Sequence, residues 1–227
     1  MAKDKVEDFY NSISTKYTAL LDRAIPRYRE MLQTMLDYLP KDCKPNRILE
    51  LGCGTGNLTE HVLNKFPDSE LTLVDISEDM LKECKSKFKN KTSLVYYQVD
   101  FKDLAFEVNS FDLIISSIAI HHLEDMNKQV LFRKLYSYLK PNGIFTYADQ
   151  CKGRTKGIYD KHIQSWRTEA FNLGSSEKDW KTWMNHQEKH DYHSSAIEQV
   201  LWLENAAFRN TDILWRYLLW TVFRAEK

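Results

Sequence analysis

The run Ile-Leu-Glu-Leu-Gly-Cys-Gly-Thr-Gly at positions 48–56 constrains this chain more than any other stretch. An apolar, strand-type segment ends in glycines at alternate positions (Gly52, Gly54, Gly56), and a helix-patterned segment over 57–66 follows at once. Glycine permits positive φ and lets a ligand approach the backbone where a Cβ would stand. A strand, tight turn and helix N-terminus of this kind is the cradle from which nucleotide-like cofactors hang in doubly wound α/β domains. Glu50, the one acid in an apolar strand, sits immediately before the turn.

The rest of the chain supports an α/β reading. Residues 5–39 read as two helices, with apolar positions at three-to-four spacing on either side of Pro26. The first strand is 47–51. Strand and helix then alternate: a strand over 71–75 ending in Asp75, a helix over 78–88 capped by Ser77, and a strand over 93–99 closing on Asp100. The run Phe111–Ser117 is continuously apolar at its centre, as expected of a parallel strand buried on both faces. A helix over 128–139 stops at Pro141-Asn142-Gly143, and a strand over 144–148 runs into Asp149. Strands alternating with helices and no hairpin signals predict a parallel sheet.

Beyond residue 150 the character changes. All six tryptophans lie there, interleaved with four of the seven histidines. Residues 157–190 read as helical with a break at 173–176, 197–207 as a further helix, and 211–217 with 220–224 as an antiparallel strand pair on the sheet edge. Composition narrows the partners. Balanced charge, 32 Lys+Arg against 32 Asp+Glu, disfavours nucleic acid and anionic membranes. The charged N-terminus is no signal peptide, no run is long enough to span a bilayer, and the four scattered cysteines suit reduced thiols in a cytoplasm.

Residues 48–149 resemble the class I S-adenosylmethionine (SAM)-dependent methyltransferases. The likeness rests on Glu50-Leu51-Gly52-Cys53-Gly54-Thr55-Gly56, Val74-Asp75, Val99-Asp100 and Phe111–Ser117 followed by 118–123, and the C-terminal strand pair extends it. It implies an α/β fold with a doubly wound, mostly parallel seven-stranded sheet, an antiparallel C-terminal strand pair, N-terminal helices and a helical lid inserted after strand five. The chain is expected to be one domain: an N-terminal cap (1–40), a cofactor-binding core (45–150), the lid (151–208) and the final strand pair (209–227).

The resemblance also implies roles. The backbone of Gly52, Cys53 and Gly54 would approach the methionine moiety of SAM, with Glu50 supporting the turn. Asp75 would accept the ribose hydroxyls, Ile76 and Met80 would flank the adenine, and Asp100 with Phe101 would hold its edge. Ser116 and Ser117 would lie beneath the sulfonium, and Tyr17 and Tyr28 would close over it. A nicotinamide enzyme is the competitor, but its fingerprint wants a glycine at the sixth position, which is Asn57 here.

Other candidates are less determined. His121, His122 and Asp149 end strands at the ligand-binding edge and are base or substrate contacts, or polar caps. His186 and His190 stand at i, i+4, as in zinc helices, with Asp191 or His193 near enough to add a ligand; the neighbouring Glu188 and Lys189 favour an exposed polar turn, and no metal is expected. Asp191 and His193 are also candidate substrate contacts, His193 a catalytic one. Trp166, Trp183 and Tyr159, with Trp180, fall in the segment that would roof the cleft and line a substrate pocket, whereas Trp202, Trp215 and Trp220 read as core. The expected function is methyl transfer from SAM to a small molecule in the cytoplasm, leaving S-adenosylhomocysteine, by a monomer or homodimer. The alternatives are a SAM-binding partner module without turnover and a carboxy-SAM-type enzyme, for which Arg154 and Arg167 are the only lid arginines on offer.

Overall fold

The computed structural model describes residues 6–227; the first five residues of the charged N-terminus lie outside the described residues. Seven strands form one sheet: β1 (Arg47–Leu51), β2 (Glu70–Asp75), β3 (Leu94–Gln98), β4 (Phe111–Ser117), β5 (Leu139–Gln150), β6 (Arg209–Tyr217) and β7 (Trp220–Glu226). Their order is β3-β2-β1-β4-β5-β7-β6, and only β7 runs antiparallel to its neighbours. The order reverses direction beside β1, between β2 and β4. Doubly wound sheets open a ligand crevice at this switch point, outside the carboxyl ends of the strands.

The alternation of strand side chains divides the core. Ile48, Leu71, Leu73, Leu113 and Ile115 face α2 (Tyr17–Ala24), α3 (Tyr28–Asp37), α4 (Asn57–Lys65) and α5 (Glu78–Lys87). Leu49, Leu51, Val74 and Ile114 face the opposite way, against α6 (Asp125–Tyr138) and α9 (Ala196–Asn205). The lid is a pair of helices, α7 (Lys156–Asn172) and α8 (Glu177–His190), separated by a turn with Gly174 at φ +97°. Ser176 opens α8 with a reciprocal capping box to Asp179. No helix among the described residues is long and apolar enough to cross a membrane.

Two local expectations are corrected. The first N-terminal helix is broken into α1 (Val6–Ile13), a 3-10 turn (Ser14–Lys16) and α2, because the Ser12 and Ser14 hydroxyls bond back to the Phe9 and Asn11 carbonyls and tighten the chain. Pro141-Asn142-Gly143 does not precede the fifth strand but bulges within it: the pairing jumps from Phe111–Leu139 to Leu113–Ile144, with Asn142 at φ +63°. Of the three tryptophans read as core, Trp220 is fully buried, and Trp202 and Trp215 are partly buried and pack against the core, with Trp215 Nε1 donating to Glu30 Oε1 at 2.8 Å.

Candidate active site

The turn after β1 carries all three of its glycines in the left-handed region. A Cβ at Gly52 would lie 2.3 Å from the Ala119 Cβ, so that position requires glycine on two counts. At Gly54 the first atom met is a Tyr17 ring carbon at 3.4 Å, so the turn lies directly beneath the cap. Asp75 ties the turn to β2: its Oδ2 accepts the Gly54 N–H at 2.8 Å and its Oδ1 the Ser77 N–H at 2.9 Å. Burial raises the Asp75 carboxyl above its ordinary value against the pull of these donors.

Glu50 lies beneath the turn, fully buried, with Thr59 donating to its Oε2 at 2.8 Å. Burial pushes its pKa up to about 8. A carboxyl raised in the fold binds more protons folded than unfolded, so stability falls as pH rises from about 4.5 through about 8. Glu50→Gln is therefore expected to raise the melting temperature of the ligand-free protein at pH 8.5–9, by a gain on the order of a few kcal/mol, and to leave it unchanged below about pH 4.5. Melting curves across this range check the sign.

A cavity of about 660 Å³ opens over the turn. Of the residues expected at the cofactor, Tyr17, Gly52, Gly54, Asp75, Ile76, Met80, Asp100 and Phe101 line it. Tyr28, Glu50, Cys53, Ser116 and Ser117 do not. The Cys53 side chain is buried against Cys84, the Ser116 hydroxyl donates to the Leu51 carbonyl at 2.9 Å, and the Tyr28 hydroxyl accepts from Asn57 Nδ2 behind the turn. These side-chain contacts tie Glu50, Cys53, Ser116 and Tyr28 to the turn and the elements beside it. Val6, Glu7 and Tyr10 of α1 join the lining instead, with Ile118, Ala119 and His122 after β4. Nothing local in the sequence distinguishes Tyr10 from its neighbours in the first helix. The cap is anchored by Thr18, which donates to Asn57 Oδ1 at 2.9 Å, and by Asn11, whose Oδ1 accepts from Ser77 Oγ at 2.6 Å.

At one end of the cavity the Tyr10 hydroxyl lies 2.8 Å from His122 Nε2. His121 and His122 occupy a 3-10 turn (Ile120–His122), entered through Ile118 at φ +53°. A β-branched residue held there is strained, and the Ile118 N–H bond to the Ala148 carbonyl at 2.8 Å helps to fix it. His121 Nδ1 meets Asp149 Oδ1 at 2.5 Å, at the end of β5. Burial lowers the His121 pKa, helped by His122 alongside. Burial alone would raise Asp149, but His121 holds it below the ordinary carboxylate value.

Behind these residues stand His186 and Asp191, both almost fully buried. The exposed turn expected around 186–190 is corrected. Trp180, Trp183, His186 and His190 recur along the inward face of α8, so both imidazoles are carried inside while Glu188 and Lys189 point out. Burial, with His122 near, pushes the His186 pKa down to about 3. Burial would also lower His122, but the Asp191 carboxylate outweighs it and raises the imidazole above its ordinary value. His193 Nδ1 lies 2.8 Å from the Tyr159 hydroxyl.

Lys128 on α6 fixes the junction that carries Asp191 and His193. It is almost fully buried, donating to the Tyr192 carbonyl, to Ser194 Oγ at 2.6 Å and to Asp125 Oδ1 at 3.4 Å. Lys128→Ala leaves the Tyr192 carbonyl and Ser194 Oγ without their donor, and a loss of about 1–3 kcal/mol is expected, measurable by chemical denaturation.

Trp166 and Trp183 line a second, enclosed space of about 20 Å³ beside His121, His186 and Asp191, whereas Tyr159 does not. Trp166 is held by its Nε1 bond to the Ala24 carbonyl at 2.6 Å, and Phe9 stacks on His186 at 3.9 Å. Cap and lid thus interlock over the cavity.

Residues 48–143 match the family described as a methyltransferase domain. The chain thus carries a methyltransferase domain over less than half of its length. Malonyl-[acyl-carrier protein] O-methyltransferase 2 of Ilyobacter polytropus is 40% identical over 101 residues, 44% of this chain; the chain spans only 38% of that enzyme's length. Carboxy-S-adenosyl-L-methionine synthase of Campylobacter hominis is 26% identical over 97% of this chain and 94% of its own. Among solved structures, a methyltransferase from Haloferax volcanii in complex with its Trm112 activator shares the fold, with a TM-score of 0.73 at 15% identity over 98% and 97% of the two chains.

Proposed function

We propose that this methyltransferase transfers the SAM methyl group to a small-molecule acceptor, releasing S-adenosylhomocysteine. One observation carries the proposal: the end of the cavity marked by Tyr10 and His122 is roofed by α1, α2 and α8. Phe9 packs on Trp183 and His186, Arg23 pairs with Asp179, and Ser175 Oγ donates to the Arg23 carbonyl. A folded macromolecule has no route to such a chamber, while a small acceptor enters when cap and lid part. The sulfonium methyl is already activated, so alignment of nucleophile, methyl carbon and sulfur supplies much of the rate, on the order of 7–11 kcal/mol in favourable cases. His121, His122, Asp149 and His193 are the groups able to hold or move the acceptor's proton. Trp166 and Trp183 supply the apolar wall, with Tyr159 behind through His193. The chain works as one domain, with cap, core, lid and strand pair as its parts, in the cytoplasm, as a monomer or homodimer and without nucleic acid or membrane.

A second reading, carboxy-SAM formation, is favoured by the near full-length likeness to carboxy-SAM synthases. That chemistry needs a cation for a carboxylate. Arg154 is exposed, and Arg167 pairs with Glu177 on the outer surface of the lid. Mass spectrometry of products formed from methyl-labelled SAM with pooled metabolites separates the readings. A labelled acceptor and S-adenosylhomocysteine support methyl transfer, carboxy-SAM supports the second reading, and unconsumed SAM overturns both.

A further inference from the structure

Three imidazoles converge on one carboxylate oxygen. Asp191 Oδ1 lies 3.2 Å from His122 Nδ1, 3.6 Å from His121 Nε2 and 3.6 Å from His186 Nε2. The ligand atoms of His121, His122 and Asp191 all fall within 4.8 Å of one another. Two of the three contacts are too long for hydrogen bonds. Among the described residues, Asp191 Oδ1 and both ring nitrogens of His186 are buried without a hydrogen-bond partner, a state that native interiors rarely tolerate. Four donors bound to one ion at about 2.0–2.1 Å in tetrahedral geometry stand about 3.4 Å apart, close to the spacing of Asp191 Oδ1 from each of the three nitrogens.

We propose that this cluster is a binding site for a divalent transition-metal ion, with His121 Nε2, His122 Nδ1, His186 Nε2 and Asp191 Oδ1 as ligands. Three neutral nitrogens and one carboxylate suit zinc and its neighbours, not magnesium or calcium, which take oxygen. The outer shell is in place. Asp149 accepts from His121 Nδ1, which fixes the tautomer and leaves Nε2 free to ligate. Tyr10 holds His122 from the far side at Nε2. His193 Nε2 lies 3.5 Å from Asp191 Oδ2, the other carboxylate oxygen. His122 Nδ1 also faces the His190 carbonyl at 3.3 Å. Because Tyr10 and His122 line the SAM cavity, the ion stands next to the place where the acceptor's oxygen, nitrogen or sulfur must come. The site does not require methyl transfer to be the reaction.

The test uses the full chain, stripped with a chelator, dialysed and titrated with cobalt(II), then zinc. One equivalent should bind, with the visible ligand-field bands of cobalt in a four- or five-coordinate nitrogen and oxygen site. X-ray absorption at the zinc edge should count three imidazoles. Asp191→Asn and His186→Ala should abolish stoichiometric uptake, and Asp149→Asn should weaken affinity by about 10–100-fold. Retained SAM binding, read by calorimetry, shows that each variant is folded. Failure of the wild-type protein to take up one equivalent would mean that Asp191 is neutralised by a protonated His122 instead, and would overturn the proposal, as would uptake that survives in both ligand variants. Because the readout is metal content, the proposal stands or falls separately from the choice of methyl acceptor.

Discussion

Asp75→Ala is expected to weaken SAM binding on the order of 100-fold, equivalent to about 3 kcal/mol, as measured by titration calorimetry. Two effects combine. The carboxylate at the end of β2 lines the cavity where a ribose would present its hydroxyls, and hydrogen bonds to a charged acceptor are the stronger kind. The same two oxygens hold the Gly54 and Ser77 N–H groups, so the alanine also releases the turn from β2. Asp75→Asn separates the two: one carbonyl oxygen still accepts, so part of the turn survives while the charge is gone. A dissociation constant unchanged in Asp75→Ala would place the ribose elsewhere.

The second large effect is expected at Gly52. Gly52→Ala puts a side chain at φ +66°, which costs about 1–2 kcal/mol, and drives its Cβ to within 2.3 Å of the Ala119 Cβ. The obstructing atom is the first carbon of its own residue, so no rotamer moves it away; the chain entering the 3-10 turn of His121 and His122 must shift. With overpacking added, a loss of about 3 kcal/mol or more follows, lowering the melting temperature by roughly 6–12 °C and removing SAM binding. Gly157 is the control. It lies in α7, and a Cβ added there would meet nothing within 4 Å, so Gly157→Ala should stabilise the helix slightly, by about 0.5–1 kcal/mol, and leave SAM binding intact.

Much of the cofactor side is legible because its signals are local. Gly52 and Gly54 are chosen by backbone dihedrals, Asp75 by its place at a strand end, and Ser77 by capping chemistry: its hydroxyl accepts the Met80 N–H at 3.1 Å. The strand ranges 47–51 and 111–117 are readable from apolar runs bounded by turns, and the C-terminal hairpin from two β-rich segments too close together to hold a helix. Legibility fails where partners are distant in sequence. Tyr10 and His122 are 112 residues apart, and His121 and Asp149 are 28 apart; periodicity carries no information about either pairing. The side chains of Cys53 and Ser116 turn to Cys84 and to the Leu51 carbonyl, partners that motif position does not name.

By itself the sequence determined the alternation of strands and helices, the glycine cradle and the acid that closes it, because dihedral preference and periodicity act within a few residues. Only the tertiary structure decided that His186 is internal, that α1 brings Tyr10 to the cavity, and that Lys128 pins the 191–194 junction. Those outcomes depend on three separate segments, the cap, the loop after β4 and the lid, meeting over one sheet edge. What a histidine does there is set by burial and by neighbours that no local pattern names.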